Sequence, residues 1–597
     1  MSKHERARTF TGFPVASGVS VGKARWVSAR LFPTEVPRQN IPEGDISREI
    51  DRFQKASKQA AEDLEELAED VEKELGRGEA DLIRPQAMMA RDPSFLSQVE
   101  EQVVEDRVNA EAAVADVIEK FERMIGSVDD DYLRERSADV RDAGRRILGR
   151  LLFTDGEMMP RLMEPSIVVS EHLIPSLTVH LDRDKILGFA TEKGGYTSHA
   201  AILARSLGVP AVSGLEGIES EVVDGHKIIV DGLQGTVILN PGQGRLDKYE
   251  KQAEKFWARR QEVIEQADRP AVTRDDYKIV VQANIGRPEE AERVEEYRAQ
   301  GVGLYRTEFE YLSQTSLPAE EDLRKRYEAV AEQVGDGGVV FRLLDIGGDK
   351  FPPAVPLAHE ENPFLGLRGL RLLLRHKEDI VLPQLKAMMY AALKGKVRVL
   401  YPMVASSEDV DAIREVAEQA RREVEEEVDD ELPEVEQGIM VEVPSSVHTL
   451  PVLLERCDFA SVGTNDLVQY VLAADRNSER MAEAYDPFHP AVIWALHYIR
   501  EVADRKDKEV SICGEAAGDT HFLPLLLGIG FRKISVNVGA VPYVKRAVRQ
   551  ISMEDCRELA EKALDADITA TVHKLVDEFY DYHLRDSTDL LGENEDD

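Results

Sequence analysis

"VVFRLLDIGGDK", Val339–Lys350, is an apolar run of strand length that carries one arginine and ends on a glycine pair. A short apolar run closed by turn residues reads as a buried strand. Seven similar runs flank it: "KIVVQANI" (278–285), "GVGLYR" (301–306), "VRVLYPMV" (397–404), "GIMVEV" (438–443), "DFASVGT" (458–464), "VSICGE" (510–515) and "RKISVN" (532–537). Helical sequence separates them. Eight strand–helix units in succession predict a (β/α)8 TIM barrel.

The sequence upstream of the barrel has a different organisation. Residues 9–29, "TFTGFPVASGVSVGKARWVSA", read as short strands broken by glycine and proline. From about Ile46 to Leu152 the apolar positions recur at helical spacing, as in "EIDRFQKASKQAAEDLEELAEDVEKEL", which predicts an antiparallel helical bundle. Short buried strands then return: "SIVVS", "ILGFAT", "PAVSG", "KIIVDG" and "TVILN". The bundle therefore reads as an insertion into an α/β domain. The expected divisions of this multidomain α/β chain are 1–32 with 153–244 for the α/β domain and 33–152 for the helical insert. A linker helix follows at 245–270, then the barrel at 271–585 and an acidic tail at 586–597.

Composition narrows the function. The chain of 597 residues carries 113 acidic against 75 basic residues, a net charge of −38. Such a surface repels nucleic acid and anionic membranes, so neither is expected as a partner. The acids are spread along the chain, and their repulsion is relieved by salt, which predicts a high-salt cytoplasm, as in halophiles. No apolar run is long enough to cross a bilayer, and "MSKHERARTF" does not read as a secretory signal. Three cysteines are too few for a disulfide framework and fit a reducing, cytoplasmic setting.

The residues with chemical potential gather at the C-terminal ends of the barrel strands, where such barrels carry their active sites. Arg306 follows "GVGLY", Arg342 lies in "VVFR", Arg368 in "NPFLGLRGLR" and Arg476 in "AADRN". Glu442 closes "GIMVE", Asn465 and Asp466 follow "DFASVGT", and Cys513 closes "VSIC". Singly, each has an ordinary structural reading as a surface ion pair, a cap or a buried thiol. Together they suit one task. Arginines bind a multiply charged phosphate through paired hydrogen bonds. Glu442 and Asp466 are hard oxygen ligands of the kind Mg2+ takes. Phosphoryl transfer needs chiefly such positioning, metal and cations, and Cys513 is placed to move a proton at a carbon centre.

A second candidate centre is "GGYTSHAAILARS", Gly194–Ser206. The glycine pair permits a tight turn, and Thr197 or Ser198 can cap the helix that begins after them. In the first turn of a helix, His199 would be held neutral and nucleophilic, and a phosphoryl group on it would be stabilised by the same terminus. Local sequence leaves three roles open for His199: phosphate carrier, structural histidine or metal ligand. No second histidine at helical spacing and no cysteine nearby supports the last.

Several motifs, taken in order, carry a specific resemblance. "GGYTSHAAILARSLGVPAV" is similar to the phosphohistidine motif of the phosphoenolpyruvate-utilising enzymes. "GVGLYRTEFEYL", "LLDIGGDK", "NPFLGLRGLR", "GIMVEVPSS", "GTNDLVQYVLAADR" and "CGEAAGD" resemble the barrel motifs of enzyme I of the phosphotransferase system. "GFPVASGVSVGKA", "PQAMMARDPSF" and "ERSADVRDAGRRILGRL" extend the resemblance over nearly the whole chain. It implies that phosphoenolpyruvate phosphorylates His199, which passes the phosphoryl group to a histidine of the carrier protein HPr and releases pyruvate into the start of a sugar-transport relay. By motif match, Arg306, Arg342, Asn465 and Arg476 would hold the substrate phosphate, and Arg368 would join them or take the carboxylate end. Glu442 and Asp466 would hold Mg2+, Cys513 would protonate the enolate, and Thr178 would contact the phosphohistidine. The α/β domain would be a phosphohistidine swivel domain, the helical insert would dock HPr, and the barrel would form a homodimer. Tyr196 stands where the family usually has arginine, so one cation near the phosphohistidine is missing.

Two other readings are weaker. A pyruvate–phosphate dikinase or phosphoenolpyruvate synthase needs an ATP-binding domain before the histidine domain, and the upstream residues contain no glycine-rich nucleotide loop. A regulatory protein that has lost catalysis would not be expected to keep this complete set of candidate residues.

Overall fold

A computed structural model of the chain describes residues 7–27, 38–75, 84–126, 143–144, 146–151, 162, 164–171, 185–194, 204, 208–312, 316–347, 362–429, 431–476, 481 and 484–584. These fall into two compact units, Met1–Ala258 and Arg259–Asp597.

The first unit contains strands β1 (Arg8–Thr11), β2 (Phe13–Ala16) and β3 (Val19–Trp26). Helices α1 (Ile46–Leu75), α2 (Arg84–Ala90), α3 (Pro93–Asp106) and α4 (Ala110–Gly126) come after them. Next come β4 (Ser166–Ser170), β5 (Ile186–Thr191), β6 (Ala211–Ser213), β7 (Lys227–Asp231) and β8 (Thr236–Leu239), and helix α5 (Gln243–Glu265) then runs across the division into the second unit. The strands form one sheet in the order β1-β8-β7-β3-β4-β5-β6-β2. Strands β3 and β4 are parallel neighbours, so the helices lie in the crossover between them. The helices have a separate core, with Phe53, Leu64, Phe95, Val99, Val114 and Ile147 buried together. That is the expected outcome when a helical stretch can bury its own apolar stripe and needs nothing from the sheet.

The second unit is a closed barrel of eight parallel strands: β9 (Val280–Ile285), β10 (Val302–Arg306), β11 (Val339–Arg342), β12 (Val397–Tyr401), β13 (Glu436–Val441), β14 (Phe459–Val462), β15 (Glu509–Ile512) and β16 (Lys533–Asn537). Strand β16 pairs with β9 to complete the ring. All eight strands expected from the sequence are present. The run "VVFRLLDI" forms a strand only to Arg342; Leu343 N–H makes one last bond to the Leu400 carbonyl of β12 at 2.9 Å, and from Leu344 on the backbone N–H groups find other acceptors. Leu344 N–H donates to Gln384 Oε1 at 3.1 Å and Asp345 N–H to Glu308 Oε1 at 3.2 Å. Leu344–Ile346 is thus released from the ladder and turned over the barrel mouth.

Side chains alternate along each strand. Leu304, Val340, Leu400, Met440, Phe459 and Cys513 cluster together. Tyr305, Phe341 and Val399 are sequence neighbours of three of these, and they belong to the larger core that the surrounding helices cover. Full burial of a side chain the size of Phe341 contributes roughly 1.5–3 kcal/mol, so the register of each strand is held by both of its faces. The second unit also contains helices α6 (Glu308–Leu312), α7 (Glu320–Val334) and α8 (Thr464–Leu472). Of these, α6 begins two residues after β10 and α8 two residues after β14, so both start at the barrel mouth. No helix among the described residues is long and apolar enough to cross a membrane.

Candidate active site

At the C-terminal mouth of the barrel the strands deliver a dense group of buried charges. Tyr305 and Phe341 are register partners on β10 and β11, and so are Arg306 and Arg342. The aromatic pair belongs to the helix-covered core, so by strand alternation the arginine pair faces the opposite way.

Arg342 is only 9% exposed. Its Nη2 donates to Glu308 Oε1 at 2.7 Å, and its Nη1 lies 3.3 Å from Asp345 Oδ2. Burial alone would lower the pKa of this guanidinium. The carboxylates of Glu308, Asp345 and Glu442 outweigh it and hold the group more firmly protonated than usual.

Arg368 comes from the segment after β11. Its Nη2 reaches both oxygens of Asp345 at 3.3 Å, and its Nη1 donates to Asp466 Oδ1 at 3.1 Å and Tyr470 Oη at 3.2 Å. Asp466 sits in the first turn of α8, and its second oxygen accepts from Arg476 Nη1 at 3.3 Å. Asp345 is thus shared between Arg342 and Arg368, and Asp466 between Arg368 and Arg476. Burial would raise the pKa of Asp345, but Arg368 and Arg342 bring it below the ordinary carboxylate value.

Glu442 is held differently. It is 1% exposed, and its Oε1 accepts the Met403 backbone N–H at 2.6 Å. Met403 adopts a positive φ of 53°, a strained conformation for a side chain of its size. The strain presents a backbone donor to Glu442. Gly463 lies on the other side, where an added Cβ would come within 2.6 Å of Glu442 Oε2. No guanidinium hydrogen-bonds to Glu442 among the described residues. Burial and the neighbouring Asp466 and Asp345 push its carboxyl up to about 8. One oxygen each from Asp345, Glu442 and Asp466 lie within 4.8 Å of one another. Three hard oxygen donors that repel one another form a donor set suited to a divalent cation.

Cys513 closes β15 beside this cluster and is 4% exposed. Its thiol donates to the Val462 carbonyl at 3.5 Å. Burial pushes the thiol up to about 11, against the opposing pull of Ser461, Arg342 and Arg306, so it holds its proton at neutral pH. Asn465 Oδ1 accepts the Glu515 N–H at 3.0 Å, which joins the loops after β14 and β15.

Arg306, Arg342, Arg368, Asn465, Arg476, Glu442, Asp466 and Cys513 all lie at the barrel mouth. His199, Thr178 and Tyr196 lie outside the described residues. The Nε atoms of Arg306, Arg342 and Arg368 and the hydroxyl of Thr464 are buried with no hydrogen-bond partner among the described residues. Each unsatisfied buried donor costs about 1–3 kcal/mol. Cationic donors gathered around one mouth are suited to an oxyanion.

Sequence reading did not single out Glu308 or Asp345, although "TEFEYL" and "LLDIGGDK" contain them. Their signal was position: each comes two or three residues after a strand-end arginine, where a turn folds it back over the mouth.

Comparison with known proteins gives a consistent result. Residues 260–553 match the family described as PEP-utilising enzyme, PEP-binding domain. Residues 11–136 match PEP-utilising enzyme, N-terminal, and residues 162–235 match PEP-utilising enzyme, mobile domain. The chain is 35% identical over 573 residues to a phosphoenolpyruvate-protein phosphotransferase of Staphylococcus carnosus (strain TM300), covering 96% of this chain and 99% of that one. It is 35% identical over 569 residues to a protein of the same name from Bacillus subtilis (strain 168), covering 95% and 99%. The counterpart in Priestia megaterium is 34% identical over 565 residues, covering 95% and 98%.

Proposed function

The chain belongs to the phosphoenolpyruvate-protein phosphotransferase family, and we propose that it moves the phosphoryl group of phosphoenolpyruvate to its own His199 and then to a histidine of HPr, releasing pyruvate. The observation that carries this reading is the barrel mouth itself, where guanidinium donors without partners among the described residues, a carboxylate cluster and a protonated thiol lie together.

In this reading Arg306, Arg342, Asn465 and Arg476 bind the phosphate of the substrate, and Arg368 orients its carboxylate or joins the phosphate cluster. The guanidinium groups are aimed before substrate arrives, because Glu308, Asp345 and Asp466 already hold three of them. Charge that spreads over the phosphoryl oxygens during transfer meets donors that need not reorganise. Loss of the phosphoryl group leaves an enolate, whose terminal carbon must gain a proton to become pyruvate. Cys513 supplies that proton from a thiol kept neutral by burial. The imidazole of His199 is the attacking nucleophile, and Thr178 supports it once phosphorylated.

Glu442 and Asp466 are the residues to hold Mg2+, with Asp345 as a third oxygen donor. When bound, the ion neutralises phosphate charge and relieves the repulsion that leaves Glu442 with so high a pKa.

The same reading assigns 1–32 with 153–244 to the swivel domain, 33–152 to HPr docking, 245–270 to the linker and 271–585 to substrate binding and homodimerisation. Its support is the family membership and the order of the three matched segments. A cytoplasmic protein of a high-salt organism fits the net charge of −38 and the three free cysteines.

Incubation with 32P-labelled phosphoenolpyruvate and Mg2+ in high KCl tests the reading. Acid-labile label is expected on the wild type and not on His199→Ala. Label that persists on His199→Ala would sink the assignment.

A further inference from the structure

The turn that carries Arg306 is tied down from behind as well as in front. Arg306, Thr307 and Glu308 link the end of β10 to the start of α6. In front, Thr307 Oγ1 donates to the Arg342 carbonyl at 3.0 Å, and Glu308 holds the Arg342 guanidinium. Behind, on the face that the helices cover, Tyr305 Oη donates to Glu310 Oε1 at 2.8 Å. This bond runs from the residue just before the turn to a residue in α6 just after it, and so closes the turn into a loop.

Glu310 is 2% exposed, and its other oxygen accepts from Arg326 of α7. A buried carboxylate with one tyrosine and one arginine partner is costly to place, and it stays charged only through that pair. The packing extends to the next strand. The rings of Tyr305, Tyr327 and Phe341 form a cluster with centroid separations of 5.9, 5.1 and 4.8 Å. Gln384 donates to Tyr327 Oη at 3.3 Å and accepts the Leu344 N–H beside Asp345. Each aromatic strand residue, Tyr305 or Phe341, directly precedes one of the mouth arginines, Arg306 or Arg342.

We propose that Glu310, held by Tyr305 and Arg326 behind the barrel wall, is a positioning residue that sets the aim of Arg306 and, through Glu308, of Arg342. The inference rests on the phosphoenolpyruvate reading of the site. Glu310 touches no substrate. Its effect is to remove the freedom of the Arg306–Glu308 turn, so that two arginines on adjacent strands meet one phosphate without rearrangement.

The test compares full-length wild type, Tyr305→Phe and Glu310→Gln in two half-reactions. The first is phosphorylation of the protein by phosphoenolpyruvate, with KM and kcat measured separately. The second is transfer from the phosphorylated protein to HPr. Tyr305→Phe deletes one buried hydroxyl and keeps the ring packing. It should raise KM for phosphoenolpyruvate about fivefold, the factor typical of one hydrogen bond. Its melting temperature should fall by only a few degrees, the cost of one unpaired buried acceptor, and its transfer to HPr should stay at the wild-type value. Glu310→Gln keeps an acceptor for Tyr305 but strands Arg326, so it should raise KM further. An unchanged KM in Tyr305→Phe overturns the inference, as does an equal fall in both half-reactions, which would mean general destabilisation. A wild type that takes no phosphoryl group from phosphoenolpyruvate overturns the functional reading, and this inference with it.

Discussion

Arg306 and Arg342 are register partners on adjacent parallel strands, and each is preceded by a buried aromatic residue that faces the other way. Neighbours in a parallel ladder lie about 4.8 Å apart. Two guanidinium groups are therefore brought to the same side at close range, a spacing that one multiply charged ligand can bridge. Glu308 and Asp345 offset their repulsion while no ligand is present.

Removing Arg342 should be costly twice over. Arg342→Ala leaves Glu308 buried without its guanidinium partner and Asp345 with Arg368 alone, a loss of about 3–5 kcal/mol in folding stability. It also removes a phosphate contact, so kcat/KM for phosphoenolpyruvate should fall about a hundredfold or more. Urea titration and steady-state kinetics measure the two effects separately. A variant with wild-type stability would contradict the buried ion-pair arrangement.

Glu442 predicts an unusual pH dependence. Its folded carboxyl lies at about 8 against an ordinary value of 4.5. A pKa raised on folding stabilises the protein fully below the unfolded value, and that stability is lost as pH rises through the folded value. In EDTA, the wild type should therefore lose stability between pH 4.5 and 8 relative to Glu442→Gln, which has no proton to lose. Added Mg2+ should raise the melting temperature of the wild type at about pH 8 and that of Glu442→Gln much less. Identical pH profiles for the two proteins would rule out the buried, repelled carboxyl.

Cys513 should behave as an acid and not as a nucleophile. With its thiol pushed up to about 11, alkylation by iodoacetamide should be slow at about pH 7 and accelerate only in strongly alkaline solution. Cys513→Ala should slow pyruvate formation while leaving KM for phosphoenolpyruvate nearly unchanged, since it removes a proton donor and no phosphate contact. Full turnover in Cys513→Ala would require a different acid.

Salt should stabilise the chain. With a net charge of −38, self-repulsion acts over about 10 Å at 0.1 M salt and about 3 Å at 1 M. The melting temperature should climb steadily with KCl. A flat response would remove the high-salt reading without touching the catalytic one.

Much of this protein was legible in the linear order of its residues. Eight apolar runs bounded by turns marked eight barrel strands, because a parallel strand buried on both faces must be apolar throughout. Arg306, Arg342, Glu442 and Cys513 stood out as polar residues closing such runs. Asn465 and Asp466 stood out at the start of a helix directly after one. The boundary of β11 was not legible, because "LLDI" is as apolar as the strand before it. What ends the strand is competition for its N–H groups by Gln384 and Glu308, residues 40 and 37 positions away.

By itself, then, the sequence determined the strand count, the barrel, the helical insertion and the group of residues at the barrel mouth, since these come from local periodicity and from the rule that such barrels work at the C-terminal ends of their strands. Only the tertiary structure decided how the charges divide. Asp345 and Asp466 became partners of arginines, Glu442 was left to a strained backbone N–H, and Glu308 and Glu310, two residues apart, came to hold opposite faces of one turn. The physical reason is that carboxylates are interchangeable in sequence. Their state depends on burial and on which charges the closing barrel brings within a few ångströms of them.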